Sequence, residues 1–177
     1  RAHSDCQILG FEEGWITAKA REMGIPVLSP AELDSQDGSC DIVTAIEVIE
    51  HVERPVEFLR RVNRLLKPGG LLFLTTGNAA PHRDSLLRWG YTTPEIHMSF
   101  FEPGTLAHAM RSAGFEVQYP GFRSGYTGII RFKVLKNLGR RKRETWERCL
   151  PWNLLSRIVD AKHRVSAHPC GIKPTSA

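Results

Sequence analysis

The chain alternates short apolar runs with segments in which apolar residues recur every three or four positions. Gln7 to Phe11 predicts a strand. Trp15 to Met23 predicts a helix with Ile16, Ala20 and Met23 on one face, stopped by Gly24. Pro26 to Leu28 predicts a second short strand. Asp41 to Ile46 (DIVTAI) is β-branched and nearly all apolar, the pattern of a strand buried on both faces of a parallel sheet. Pro55 suits the first turn of the next helix, whose face Leu59, Val62 and Leu66 recurs at helical spacing. Lys67-Pro68-Gly69-Gly70 ends that helix, and Leu71 to Thr75 predicts another buried strand. Pro103 to Ala113 reads as a helix stopped by Gly114, with strands expected at Glu116 to Tyr119 and Ile129 to Val134. Strand and helix in this rhythm predict an α/β fold with a doubly wound sheet. Residues 1–134 form the expected domain. Residues 135–177 form a partly helical extension carrying Trp146 and Trp152, expected to be loose from His168 to Ala177.

The 177 residues suffice for one domain with a real core. The longest aliphatic runs are far below the ~20 residues of a membrane span, and Arg1 to Gly10 holds no apolar signal-peptide core. The four cysteines, Cys6, Cys40, Cys149 and Cys170, form no Cys-x-x-Cys pair, as expected of buried thiols in the cytoplasm. The net charge is +5 and is unevenly placed. Eight basic residues face two acidic ones between Arg131 and Arg148, and the other 16 basic and 17 acidic residues leave the body near neutral. That basic run reads as a solvated helix face, as a contact for an anionic acceptor, or as a peripheral contact with an anionic membrane holding a lipid-linked one. No nucleic-acid module accompanies it, so nucleic acid is not an expected partner.

Ligands of open α/β sheets bind beyond the carboxyl ends of the strands. The first strand runs into Glu12, where a carboxylate can accept from both hydroxyls of a ribose; an acid there equally suits the start of a helix. After the DIVTAI strand comes Glu47-Val48-Ile49-Glu50-His51. If the chain turns helical, Glu47, Glu50 and His51 share one face at i, i+3 and i+4 and can converge on a divalent cation, with His97 as a fourth ligand from across the cleft. Magnesium or manganese suits the oxygens, and imidazole widens the choice. Without a metal, His51 reads as a general base or a substrate contact. The connection from Gly77 to Phe101 is long for a crossover loop and carries Trp89, Tyr91, Phe100 and Phe101. It reads as a cap over the acceptor, or its aromatics as ordinary packing.

The stretch DIVTAIEVIEHVERPVEFLRRVNRLLKPGGLLFLTT, residues 41–76, resembles the S-adenosylmethionine-dependent class I methyltransferases, nearest the branch with ubiquinone-biosynthesis-type O-methyltransferases. GFEEG is similar to that family's acidic motif after its second strand, and HMSFFEPGTLAHAMRSAGFEV to a region further on. The resemblance implies a Rossmann-like sheet with its last strand antiparallel and S-adenosyl-L-methionine as methyl donor. It implies that Phe11, Glu12, Ala31, Ala45 and Ile46 line the cofactor, and that Glu50 and His51 are catalytic. Glu47, Glu50, His51 and His97 resemble the ligand set of the metal-dependent members. Two departures stand out. The family's glycine-rich loop is absent from this chain, which starts at the family's second strand, so the sheet is expected to lack its first strand and helix. Pro30 stands where the family often has an acid for adenine, leaving Glu32 or the backbone near Ala31 to substitute. The resemblance implies methyl transfer to a hydroxyl of a small-molecule acceptor. The alternatives are metal-independent N- or C-methylation of a nucleotide- or lipid-linked sugar, and a non-catalytic binding protein.

Overall fold

The computed structural model describes residues 6–93, 95–119, 127–128, 131, 134–135, 150–161, 166–167 and 169–175. Its centre is a βαβ unit. Strand β3 (Cys40–Ile46) leads through helix α3 (Pro55–Leu65) into the parallel strand β4 (Leu66–Gly77), pairing Ile42 with Leu71 through to Ile46 with Thr75. The register jumps between Cys40–Leu66 and Ile42–Leu71, which absorbs Lys67 to Gly70. The helix therefore ends one residue earlier than its apolar spacing suggests, because Leu66 is already extended and fully buried.

The core lies where α3 and helix α4 (Pro103–Ser112) cover the sheet. Leu59 and Val62 of α3, Leu72 and Leu74 of β4, and Leu106 and Met110 of α4 are all buried together. Burial of each such side chain contributes roughly 1.5–3 kcal/mol. Gly114, at φ +87, turns the chain out of α4 where a side chain would be strained.

Beyond α4, strand β5 (Glu116–Gln118) does not pair with β4 directly. Strand β7 (Cys170–Ile172) lies between them, antiparallel to both, and the two-residue strand β6 (Ser166–Ala167) pairs with Thr76 and Gly77. The expected antiparallel last strand is thus present, but not at Ile129 to Val134. There Arg131 and Val134 are helical, and Ile129, Ile130, Phe132 and Lys133 lie outside the described residues. The end of the chain, expected to be loose, supplies the strand instead. Gly171 makes this possible: a Cβ there would stand 2.8 Å from Phe115 and 2.9 Å from Met110, so the backbone crosses the core directly. Lys173 secures the strand by donating to the carbonyls of Asn63 (3.0 Å) and Leu66 (2.8 Å) at the end of α3. Helix α5 (Trp152–Ala161) precedes β6, with Arg131 5.9 Å above the Trp152 ring; Trp146 is outside the described residues.

Near the start, strands β1 (Gly10–Phe11) and β2 (Val27–Leu28) form a separate parallel pair, flanked by helices α1 (Ile16–Glu22) and α2 (Pro30–Asp34). Among the described residues β3 has a strand partner on one side only. It is an edge, not the doubly buried strand its composition predicts, and Ile42 and Ile46 are 62% and 50% exposed. Helix α1 likewise buries no residue fully: on its apolar face Ile16 and Met23 are exposed and Ala20 is half-buried. The β1–β2 unit is tied to the rest through Arg61 of α3, paired with Asp34, and through the amide of Gly38, donating to Arg64 O at 2.8 Å.

Candidate active site

Four of the residues singled out in the sequence meet at the carboxyl end of β3. The route is not the continuous helix that their spacing suggests. Glu47 adopts φ +53, a left-handed conformation uncommon outside glycine, and the chain then makes one 3-10 turn, Ile49–His51. The Glu47 amide donates to Thr75 O at 2.9 Å, pinning the bend to the end of β4. This bend brings Glu50 inside, where it is fully buried, while His51 stays exposed.

Each carboxylate is held through both of its oxygens. Thr75 donates to Glu47 Oε1 at 3.0 Å, and Thr76 donates to Glu50 Oε2 at 2.9 Å. The remaining oxygens, Glu47 Oε2 (2.9 Å) and Glu50 Oε1, both lie against the hydroxyl of Tyr91. That hydroxyl also accepts from the Gly77 amide at 3.1 Å. Burial, and then the two carboxylates beside it, push the Tyr91 hydroxyl well above its ordinary pKa, so it remains a donor. A Cβ on Gly77 would lie 2.5 Å from the Tyr91 ring and 2.8 Å from Trp89; only glycine lets the ring sit flat on the strand end.

The imidazoles come from opposite sides. His51 Nδ1 contacts Ile96 O at 2.8 Å, and His97 Nδ1 contacts Tyr91 O at 2.7 Å. A carbonyl only accepts, so both Nδ1 atoms carry hydrogen and a neutral ring keeps its lone pair on Nε2. The two rings are 4.7 Å apart. One potential ligand atom each from Glu50, His51 and His97 lies within 4.8 Å of the others. Glu47 is outside this trio, although it shares Tyr91 with Glu50; three of the four expected metal ligands converge and the fourth stands behind them.

The long connection is anchored at its base by the Ala79 amide on Phe101 O (2.9 Å) and folds back over the bend. The amides of Met98 and Ser99 donate to Glu50 O at 2.8 and 3.2 Å. Its aromatics stack on one another: His82 on Trp89 and Trp89 on Tyr91, each at 4.7 Å. Tyr91, Thr75 and Thr76 have roles here that the sequence reading did not assign. The Thr-Thr-Gly string ending a buried strand is the one signal that could have pointed to them.

The expected cofactor residues lie at the carboxyl ends of β1 and β3 and in the first turn of α2. Phe11 closes β1 and is 42% exposed. Glu12 follows it, exposed, with Oε1 accepting from the Gly14 amide at 2.7 Å. Ala31 is in the first turn of α2, while Ala45 (buried) and Ile46 (half exposed) end β3. Glu32 is committed to a capping box, accepting from the Ser29 amide and hydroxyl at 2.7 Å; the amide foremost holds its carboxyl below the usual carboxylate range.

Over 91 residues the chain is 37% identical to the ubiquinone biosynthesis O-methyltransferase of Xanthomonas euvesicatoria pv. vesicatoria, a match covering 47% of this chain and 38% of that protein. The chain thus spans well under half the length of this relative. Among solved structures it is similar to a SAM-dependent methyltransferase of Thermotoga maritima, described as a possible histamine N-methyltransferase. That match has TM-score 0.57 at 20% identity and covers 94% of this chain and 72% of that one. The [4+2]-cyclase SpnF matches with TM-score 0.56 at 19% identity, over 96% of this chain and 67% of its own. These likenesses establish the Rossmann-like fold. The family model described as a methyltransferase domain matches residues 14–119, more than half of the chain and the whole of the bend and loop just described: the chain belongs to the methyltransferase-domain family.

Proposed function

We propose that the protein carrying this chain transfers the methyl group of S-adenosylmethionine to a hydroxyl of a small-molecule acceptor, with Glu50 and His51 serving that hydroxyl. The observation that carries the reading is the trio itself: a buried carboxylate and two imidazoles whose Nδ1–H groups are already committed, gathered at a strand's carboxyl end under a long loop. The 37% identity to a protein named an O-methyltransferase supports oxygen as the acceptor atom.

For the cofactor, the residues present fit the ribose and adenine end. An exposed carboxylate at Glu12, beside the partly exposed ring of Phe11, can take a sugar diol, and Ile46 offers apolar surface near the strand end. When bound, the cofactor supplies an electrophilic methyl. The chain's own part is to hold the acceptor oxygen in line and remove its proton. His51 is suited to the second task, because its Nε2 lone pair can accept the proton while Ile96 O holds the Nδ1–H. Glu50, Glu12 and the imidazoles thus divide the work between the two substrates.

The same trio would hold a divalent cation, which would lower the pKa of a bound hydroxyl. One carboxylate and two imidazole nitrogens are a set richer in nitrogen than magnesium prefers, so manganese or zinc suits it better. The basic run after Arg131 favours an anionic or lipid-linked acceptor.

Transfer of labelled methyl from S-adenosylmethionine to a catechol, by the full-length protein, tests the reading. Activity should fall about 100-fold in His51→Ala, as for loss of a general base. Wild-type rates in both His51→Ala and Glu50→Gln would exclude it. Activity unaffected by exhaustive chelation would remove the metal and leave His51 as base.

A further inference from the structure

We infer that Tyr91 is the positioning residue of this site: carried on the loop, it sets the poses of Glu47, Glu50 and His97 together and so couples closure of the loop to assembly of the acceptor site. The inference rests on the reading that Glu50 and the two histidines serve the acceptor.

Tyr91 uses three different parts of itself. Its hydroxyl donates into the carboxylate pair, contacting Glu50 Oε1 and Glu47 Oε2, while accepting from the Gly77 amide. Its backbone carbonyl accepts from His97 Nδ1 at 2.7 Å. Its ring stacks on Trp89 at 4.7 Å and lies against His97 at 4.5 Å with the two planes tilted by 35°. Thr75 and Thr76 each hold one oxygen of one carboxylate. Those threonines belong to the sheet. Tyr91 belongs to the loop.

This division has a consequence for the assembly of the site. With the loop lifted, the Glu47 and Glu50 carboxylates keep their threonine bonds but lose the group that bridges them, and two carboxylates at i and i+3 then repel. His97 leaves with the loop. His51 loses Ile96 O, and the backbone of Glu50 loses the amides of Met98 and Ser99. Closure therefore brings the trio together in one step, and the phenol is the contact that reaches the buried carboxylate itself. Preorganisation of this kind is worth large factors in rate, since reacting groups misplaced by an ångström cost roughly 100-fold. Packing alone would ask only for a ring at position 91; the hydroxyl is what the carboxylates require.

The test compares Tyr91→Phe, which keeps the ring stack, with Tyr91→Leu, which loses both, in the full chain. Nitrogen NMR of the histidine side chains, without any ligand, reports the tautomer at His97 and His51. In Tyr91→Phe the His97 signals should shift from the single Nδ1–H form towards an exchange average, with the amides of Met98 and Ser99 exchanging at least tenfold faster. The thermal melt should fall less in Tyr91→Phe, which leaves Glu50 Oε1 and the Gly77 amide unmet, than in Tyr91→Leu, which also loses the ring. In the methyl-transfer assay, Tyr91→Phe should lower kcat roughly 10- to 100-fold and leave the KM for S-adenosylmethionine within twofold. Histidine signals and amide exchange unchanged in Tyr91→Phe would overturn the inference. Equal falls of both variants in melt and kcat would reduce Tyr91 to packing and overturn it as well. Shifted signals in a protein whose wild type methylates nothing would keep the positioning role and remove the methyl-transfer reading.

Discussion

The two ends of the β3–β4 pair's surroundings differ sharply in how completely they are satisfied. On the side of the bend, two carboxylates, two threonines and a tyrosine are bonded to one another, and the two histidines to backbone carbonyls of the loop that roofs them. On the side of β1 and β2, Ile42, Ile46, Phe11 and Ile16 are exposed and β3 has an open edge. The polar half is thus the tightly packed one and the apolar half the exposed one, the reverse of the usual arrangement. The lesson is that the residues proposed to serve the acceptor are held by interactions within this chain, while those proposed for the cofactor sit among exposed strand ends and apolar surface.

The largest break in that contrast comes from the buried acid. Glu50→Ala should lower methyl transfer by about 100-fold or more, because it empties a site whose hydrogen bonds from Thr76 and Tyr91 are then unmet; steady-state kinetics on the full-length protein decide it. Gly77→Ala should come next. Its methyl would meet the Tyr91 ring, so the loop must shift, at about 1–3 kcal/mol in a denaturant melt; a silent substitution would show that the loop is not seated on the strand. By contrast, Ile42→Lys on the open edge should move stability by no more than about 0.5 kcal/mol. It should nonetheless reduce self-association in sedimentation, since a charge on an exposed edge opposes pairing. Association unchanged by the lysine would mean that this edge is not the sticky one. The smallest effect is expected from Arg83→Ala. Hydrogen bonding to Arg83 holds the Glu102 carboxyl below the usual range, so the contact stabilises the fold above the ordinary carboxylate pKa and is lost as pH falls through the lowered value. The variant should differ from the wild type at neutral pH and converge with it in strong acid; an identical difference at both would remove the ion pair from the account.

The parts legible in the sequence were those governed by periodicity. Helices α3 and α4 and strand β4 follow from apolar spacing and from Pro55, Pro103 and Gly114. The convergence of Glu50, His51 and His97 is also visible, as ligand-type residues near a strand end, although Glu47 falls outside it. Its mechanism is not, because a left-handed Glu47 leaves no pattern in composition. Tyr91 was legible only as one aromatic among several, since the partners of its hydroxyl lie 14 to 44 residues away. Burial of β3 was misjudged for a different reason: DIVTAI reports what the strand could bury, whereas exposure depends on the neighbours it has. The same holds for β7, whose Cys-Gly-Ile string is too short and too weakly apolar to stand out from a tail.

That last strand sets an order of events in synthesis. The chain leaves the ribosome from its amino end, yet Cys170–Ile172 sits between β4 and β5, which are made more than fifty residues earlier. Until it emerges, β4 and β5 face each other across a vacant slot with Phe115 and Met110 open to water. The nascent domain must therefore wait, partly built, for its keystone, and a stop codon placed just before Cys170 would leave a chain with all of its described helices and a sheet divided in two.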